Sequence, residues 1–389
     1  ELIFERLRSL VEQNRRTELH GAILMLNVVD IAEFLETLEP DKLLMLFRML
    51  PKDISADVFT YMEPERQQKL LEIIGDREIT RLVEDMFIDD AVDFLEEMPA
   101  GVVKRVLKII TPETRELINK FFSYPDYSAG SIMTIEYAEL TETDTVEEAL
   151  RILRKTGIDK ETINTCYVIG PTRHLVGFVE LRRLIMARPE ATVGSIMDKN
   201  VMYVHTTDDQ ETVANTVRRY DLISIPVVDK ENRLVGIVTI DDVVDVLVAE
   251  NTEDIEKMSA LLPSENEYMK TSIWELYKNR IPWLLILMVS ATFTGFIITS
   301  FDDVLSETGR IGLLLTACVP MLMGTGGNCG NQSSTLVIRG IALGKIGFSD
   351  ILKLLWKEIR VATITGVTLG AANVLRQVAL YYFTGGVTE

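Results

Sequence analysis

Residues 281–301, IPWLLILMVSATFTGFIITSF, run for 21 positions without a charge. About 20 apolar residues in helical form span the hydrocarbon core of a bilayer, so this stretch commits the chain to a membrane. A second uncharged run extends from Ile311 to Ile338, and a third from Val361 to Leu375 continues past Arg376 to Phe383. The expectation is three membrane helices, at about 281–301, 311–338 and 359–383.

Basic side chains set the orientation. Lys270, Lys278 and Arg280 precede the first run, and Arg339, Lys345, Lys353, Lys357 and Arg360 lie between the second and the third. The loop at 302–309 holds Asp302, Asp303 and Glu307, with no Lys or Arg before Arg310. The positive-inside rule then places the N-terminal bulk in the cytosol, beneath a multi-pass cell (inner or plasma) membrane protein.

The net charge of −19 is unevenly spread. Residues 1–269 carry 30 basic and 52 acidic side chains (−22), and residues 270–389 carry 10 and 7 (+3). So acidic a surface is a poor match for nucleic acid, and cations are its natural partner. Cys166, Cys318 and Cys329 lack metal-site spacing and no secretory signal opens the chain, so the soluble part is expected to fold in the cytosol with reduced thiols. His20, His174 and His205 are scattered and there is no phosphate loop, so no enzyme is expected.

Residues 1–128 read as short amphipathic helices punctuated by Pro40, Pro51, Pro64, Gly75, Pro99 and Pro112. Each interval has room for one helix presenting residues such as Leu43, Leu46, Phe47 and Leu50 at helical period, which predicts a superhelical stack. An internal repeat follows. Ser131-Ile132-Met133-Thr134 recurs as Ser195-Ile196-Met197-Asp198, and His174-Leu175-Val176-Gly177-Phe178-Val179 recurs as Arg233-Leu234-Val235-Gly236-Ile237-Val238. Each copy orders a strand, a helix, two apolar strands and a closing helix, and the pair resembles tandem cystathionine-synthase-type (CBS) modules. Beyond it, Asp241–Met258 reads as a helix with a dense acidic face, and Pro263 opens a second, Ser264–Arg280, that leads into the first membrane run.

The expected fold is therefore a multidomain membrane protein. It has an all-α superhelical N-terminal domain (1–128), an α/β CBS pair (129–190 and 191–249), a connecting helix (250–280) and an α-helical transmembrane region (281–389).

The second membrane run contains PMLMGTGGNCGNQSS, from Pro320 to Ser334. Backbone and amide groups so placed must face protein or water, and carbonyl and amide oxygens suit a magnesium ion that keeps its hydration shell. Gly324, Thr325, Gly326, Gly327, Asn328, Asn331 and Gln332 are the candidate pore residues; the alternative is close helix packing through Gly326 and Gly330.

The run GTGGNCGNQSSTLVIRG resembles the signature of the MgtE family of magnesium channels, and the order of helical domain, CBS pair, connecting helix and membrane domain is similar to that family throughout. The resemblance implies a homodimer in the lipid bilayer, with its pore on the two-fold axis and closed when cytosolic magnesium draws the soluble domains together. Family members have five membrane helices, the fifth with an ion-binding aspartate, so this chain reads as truncated after the third.

Acidic residues make the sensing case. Asp89, Asp90 and Asp93 cluster in the helical domain, and Asp209, Glu211, Asp221, Asp241, Asp242, Asp245, Glu250, Glu253 and Asp254 concentrate around the second module and its exit helix. Like charges at helical i+3 and i+4 steps repel, and shared magnesium ions turn repulsion into cross-linking; the alternative is a solvated acidic face. The resemblance carries magnesium binding to Asp89, Asp93, Asp209, Glu211, Asp221, Asp242, Asp245, Glu250 and Glu253.

CBS pairs often hold adenosine nucleotides through a Thr and an Asp after the last strand, and ATP binding is known in the family. Thr239 and Asp242 occupy that place in the second module, and Arg182 or Arg183 in the first is the candidate phosphate contact. The alternative is that Thr239 and Asp242 cap a helix. Two rival functions remain: a non-conducting membrane-tethered sensor of magnesium or adenine nucleotide, and a transporter of another divalent cation such as manganese. No Cys and His cluster favours zinc or cobalt.

Overall fold

A computed structural model of the protein describes residues 2–264, 268, 271–301, 310–342 and 345–384. The acidic loop at 302–309, Lys270 and the segment after Thr384 lie outside the described residues. The chain divides into two compact units, Glu1–Leu247 and Val248–Glu389.

The first unit opens with short helices: α1 (Leu2–Glu12), α2 (Arg16–Ile23), α3 (Val28–Glu36), α4 (Pro40–Phe47), α5 (Lys52–Thr60), α6 (Pro64–Ile73), α7 (Asp76–Glu84), α8 (Ile88–Glu96), α9 (Ala100–Ile109) and α10 (Pro112–Phe121). Local chemistry sets their starts. Proline stands at the first helical position of α4, α6 and α10, where a missing N–H costs nothing. Asn27 Oδ1 accepts from the Val29 N–H at 3.3 Å, and Glu78 Oε2 accepts from the Gly75 N–H at 3.0 Å. Helices this short are marginal alone and depend on packing. α1 packs on α2 and α3 on α4, while α3 packs on α5, α4 on α6, α5 on α7, α7 on α9 and α8 on α10, so the domain is all-α, as expected, with next-but-one packing recurring along it. The fully buried Phe34 and Phe59 lie in its core, with Phe59 edge-on to Phe94 at 5.1 Å between ring centroids.

The CBS pair follows. The first module contains β1 (Tyr137–Thr141), α11 (Val146–Thr156), β2 (Thr162–Ile169), β3 (Leu175–Glu180) and α12 (Leu181–Met186). The second opens with the single turn α13 (Val193–Ile196) and contains β4 (Val204–His205), α14 (Gln210–Tyr220), β5 (Ser224–Val228), β6 (Leu234–Thr239) and the start of α15 (Ile240–Met258). In each sheet the first strand pairs parallel to the second and the second antiparallel to the third.

The repeated motifs are explained by a crossover. Thr134, ahead of β1 in the first module, bridges Ile237 of the second, and Asp198, ahead of β4 in the second, bridges Phe178 of the first. A Cβ on Gly236 would sit 2.7 Å from Thr134 O and 2.8 Å from Met133 Sδ; one on Gly177 would sit 2.7 Å from Asp198 O and 3.0 Å from Met197 Sδ. Each Ser-Ile-Met segment thus lies across the other module's glycine, locking the pair together. Gly177→Ala and Gly236→Ala are each expected to cost about 1–3 kcal/mol through overpacking. Thermal unfolding of the two variants checks this, and parental melting in both would refute the crossover.

The helical domain is zipped to the second module. The Ala129 N–H donates to Asp208 O (2.7 Å), the Gly130 N–H to Thr206 O (3.0 Å) and the Gln210 N–H to Tyr127 O (2.9 Å). One apolar core runs from the helices through Ala129 and Met133 to Val213, Val217, Ile225 and Val243.

The second unit holds the rest of α15 and three long helices, α16 (Ile273–Ser300), α17 (Arg310–Ala342) and α18 (Ile351–Thr384). One expectation is corrected here. Pro263 does not open a helix: Ser264, Tyr268 and Thr271 are non-helical, and α16 starts at Ile273 because Ser272 Oγ accepts from the Glu275 N–H at 3.2 Å, a cap that Pro263 cannot supply. Among the described residues only α16 is long and apolar enough to cross a membrane, with mean hydropathy 2.1. α17 is diluted by its glycine, asparagine and glutamine run, and α18 by Lys353, Lys357, Glu358, Arg360 and Arg376. α17 and α18 meet where Cys318 Sγ lies near Asn373 Oδ1 (3.9 Å), Arg376 Nη2 (3.8 Å) and the Gln377 amide.

Candidate functional site: a carboxylate cluster between two domains

The first turn of α8 carries Asp89 and Asp90, favoured there by the helix dipole, and Asp93 follows one turn later. Across from them stand Asp241 and Asp242 at the start of α15, with Asp245 one turn on. Three acids that sequence reasoning missed complete the group: Asp57 on α5, Glu136 before β1 and Glu161 before β2.

Burial is the first cause of perturbation throughout, and neighbouring carboxylates are the second. The Asp90 carboxyl is pushed up to about 6 by burial and then by Asp242, Asp57, Asp241 and Glu136. Asp93 rises to about 7 through burial, then Glu96, Asp242 and Asp90. Glu161 rises to about 7 through burial, then Asp241, Asp90 and Asp242. Asp242 rises to about 6 through burial, although hydrogen bonds from Thr239 pull the other way. Asp89 goes well above the usual carboxylate range, from burial and then Asp90, Asp242 and Glu161. Asp89 is 9% exposed, and its Oδ1 is buried with no hydrogen-bond partner. A buried oxygen left unpaired is costly unless something outside the chain meets it.

Among the described residues no three His, Cys, Asp or Glu side chains are arranged to hold a metal ion directly. The carboxylates face one another without chelate geometry. The donors in the cluster are all oxygens, which suits a hard cation that keeps part of its water shell.

The other acidic candidates fall elsewhere. Asp209 caps α14, its Oδ2 accepting from the Glu211 N–H at 3.2 Å, and Glu211 Oε1 accepts from Asn215 at 3.4 Å. Asp221 ends α14 in the left-handed region at φ 51°. Glu250, Glu253 and Asp254 lie farther along α15 in the second unit, where Glu253 pairs with Lys257 at 2.6 Å.

A cleft of about 690 Å³ opens within the CBS pair, lined among others by Tyr167, Phe178, Arg182, Met202, Tyr220 and Asp221. That is the size of a small-molecule site. Of the residues expected to hold a nucleotide, Arg182 lines this cleft, and Thr239 and Asp242 lie outside its lining. Thr239 Oγ1 instead donates to Asp242 Oδ2 at 2.7 Å, and Asp242 faces the acids of α8. Arg183 is turned away, its Nη1 donating to Ile196 O at 2.9 Å.

The glycine-asparagine run is α-helical throughout α17. Its backbone groups are satisfied inside the helix, and the side chains and glycine surfaces are what it presents. Among the described residues, a Cβ on Gly324, Gly326, Gly327 or Gly330 would meet nothing within 4 Å. Gly324, Gly327, Asn328 and Asn331 stand at i, i+3, i+4 and i+7 and share one face. Thr325 and Gln332 flank it and Gly326 lies on the opposite side; Thr325 Oγ1 donates to Met321 O at 2.8 Å.

Residues 26–127 match the MgtE intracellular N domain, 129–190 and 193–249 match CBS domains, and 319–388 match the MgtE divalent cation transporter domain. The magnesium transporter MgtE of Thermus thermophilus is 37% identical over 355 residues, spanning 87% of this chain and 78% of that protein. The chain belongs to the MgtE family of magnesium transporters.

A second MgtE, from Bacillus subtilis, is 31% identical over 349 residues, covering 87% of this chain and 76% of that protein. Two solved structures share the soluble fold. The soluble part of a magnesium transporter superposes with TM-score 0.61 at 30% identity, covering 64% of this chain and 98% of that one. The cytosolic domain of the Mg2+ channel MgtE in complex with ATP gives 0.58 at 34% identity, covering 62% and 98%. MgtE proteins are transporters and not enzymes, which agrees with the scattered histidines.

Within this MgtE chain, no local signal marked Asp57, Glu136 and Glu161. Each is a single acid in its own segment: Asp57 comes from the helical stack, and Glu136 and Glu161 meet where β1 and β2 begin in the first module, the Glu161 N–H donating to Glu136 O at 2.8 Å.

Proposed function

We propose that the protein is the subunit of a homodimeric magnesium channel of the cell membrane, with its N-terminal and CBS domains in the cytosol. In this reading α16, α17 and α18 all cross the bilayer, and the face bearing Gly324, Gly327, Asn328 and Asn331 lines the ion path. Magnesium bound between α8 and the start of α15 closes the channel. The observation that carries the reading is the buried, unpartnered oxygen of Asp89 amid carboxylates from both domains.

Without a dication the two domains repel across the cluster. Hydrated magnesium bridging Asp89, Asp90 and Asp93 to Asp241, Asp242 and Asp245 draws them together. α15 then transmits the change, since its first turn bears Asp241 and Asp242 and its chain leads toward α16. Glu250, Glu253 and Asp254 extend its acidic face as further magnesium ligands. Asp209, Glu211 and Asp221 serve as ligands outside the central cluster. ATP is the proposed occupant of the cleft lined by Tyr167, Phe178 and Arg182.

Hydrogen exchange of the protein in lipid nanodiscs tests the gating reading. Amides of α8 and of residues 240–247 are expected to slow on the order of tenfold or more with millimolar magnesium, and not with sodium at equal ionic strength. Equal protection in both salts would remove magnesium as the effector.

A further inference from the structure

We propose that the first three turns of α18 form a binding surface for anionic phospholipid headgroups on the cytosolic leaflet. This rests on the reading that α18 crosses the membrane with its N-terminal end inside.

The segment is Ile351–Arg360, ILKLLWKEIR. At 3.6 residues per turn, Lys353, Lys357 and Arg360 fall within an arc of about 60°. All three are exposed. Trp356 borders the basic stripe, and Leu352, Leu355 and Ile359 continue away from it as an exposed apolar face, with Leu352 80% and Trp356 62% exposed. Glu358 is the single acid inside the segment and lies off the stripe. The Arg360 guanidinium stands over the Trp356 ring, 6.0 Å from its centroid.

Helix energetics do not account for these cations. The N-terminal end of a helix carries partial positive charge, so Lys353 in the first turn is disfavoured there, and Lys357 and Arg360 above it add like charge at i+4 and i+7 until an outside anion meets them. The ion pair recorded for this stripe is Lys353 with Asp350 at 3.5 Å, an exposed contact of small worth. An apolar face with tryptophan beside a cationic stripe, continuous with the apolar run from Val361, is the arrangement that places apolar groups in the acyl boundary and cations among phosphates. Residues Trp274 and Tyr277, ring to ring at 5.8 Å, stand with Lys278 and Arg280 at the start of α16. With two crossings between them, the two helix starts share one leaflet.

The test uses Trp356 as the reporter, in the full chain carrying Trp274→Phe and Trp283→Phe, reconstituted in phosphatidylcholine vesicles. Brominated phosphatidylglycerol or brominated phosphatidylcholine is added at equal mole fraction, and quenching is read. The anionic quencher is expected to be roughly fivefold more effective, and Lys353→Gln/Lys357→Gln/Arg360→Gln to erase the difference while Lys353→Arg/Lys357→Arg/Arg360→Lys keeps it. Equal quenching by both lipids would overturn the anionic site and leave the membrane reading standing. Absence of quenching by either would overturn both.

Discussion

Replacing Asp90 and Asp242 together by asparagine is expected to raise the melting temperature of the magnesium-free protein at pH 8 by roughly 10 °C and to abolish most of the stabilisation that magnesium gives the parent. Most mutations at buried polar sites destabilise, so the predicted sign is itself discriminating. In the folded chain Asp90 and Asp242 titrate at about 6 and Asp93 and Glu161 at about 7. In the unfolded chain carboxylates titrate near 4.

A carboxyl whose folded value is raised is easier to keep protonated in the folded state. Its favourable contribution is therefore complete below about pH 4 and is lost as pH climbs through the folded values, so the loss falls between about pH 4 and 7. The magnesium-free parent should thus melt lower at pH 8 than at pH 5, and magnesium should remove most of that difference by neutralising the cluster. Asparagine keeps the shape and an acceptor for the Thr239 hydroxyl while deleting the charge. Calorimetry at pH 5, 6, 7 and 8, with and without magnesium, measures all of this. A parent whose melting point is flat across that range, or a double variant that melts lower at pH 8, would refute mutual repulsion as the origin of the magnesium response.

The second large effect concerns α17. In a Cys329→Ser background, Asn331→Cys is expected to react with a membrane-impermeant thiol reagent at least about tenfold faster than Gly326→Cys, because a thiol becomes nucleophilic only where water supports its thiolate. Millimolar magnesium should slow Asn331→Cys and leave Gly326→Cys unchanged. The two positions lie about 140° apart around the same helix and about 7.5 Å apart along its axis, so a difference of tenfold reads direction more than depth. Substitution at either glycine or asparagine is sterically open within the chain, since the neighbouring glycines meet nothing within 4 Å. Similar rates at both positions would remove the assignment of one face to the ion path.

Local chemistry in the chain determined a good deal. Proline and capping residues at intervals of about 11–14 positions, with apolar residues at helical period, gave short helices that can only stack, and the duplicated Ser-Ile-Met and Leu-Val-Gly segments announced two copies of one module. The uncharged run at 281–301 was enough for one membrane helix, whereas the polar residues in α17 and α18 left their lengths and depths open. Only the tertiary structure decided which acids meet. Sequence spacing specifies which residues share a face of one element, and electrostatic contact depends on which elements face each other. Asp57, Glu136 and Glu161 join Asp89, Asp90 and Asp242 because the helical domain is zipped to the second module and each Ser-Ile-Met segment crosses to the opposite sheet. Arg182 and Asp241, at equivalent places in the repeat, likewise meet different surroundings: Arg182 lines the cleft, and Asp241 stands beside Asp90 and Glu161. Long-range geometry of this kind leaves no period in the sequence, because the residues concerned are tens of positions apart and are set side by side by packing alone.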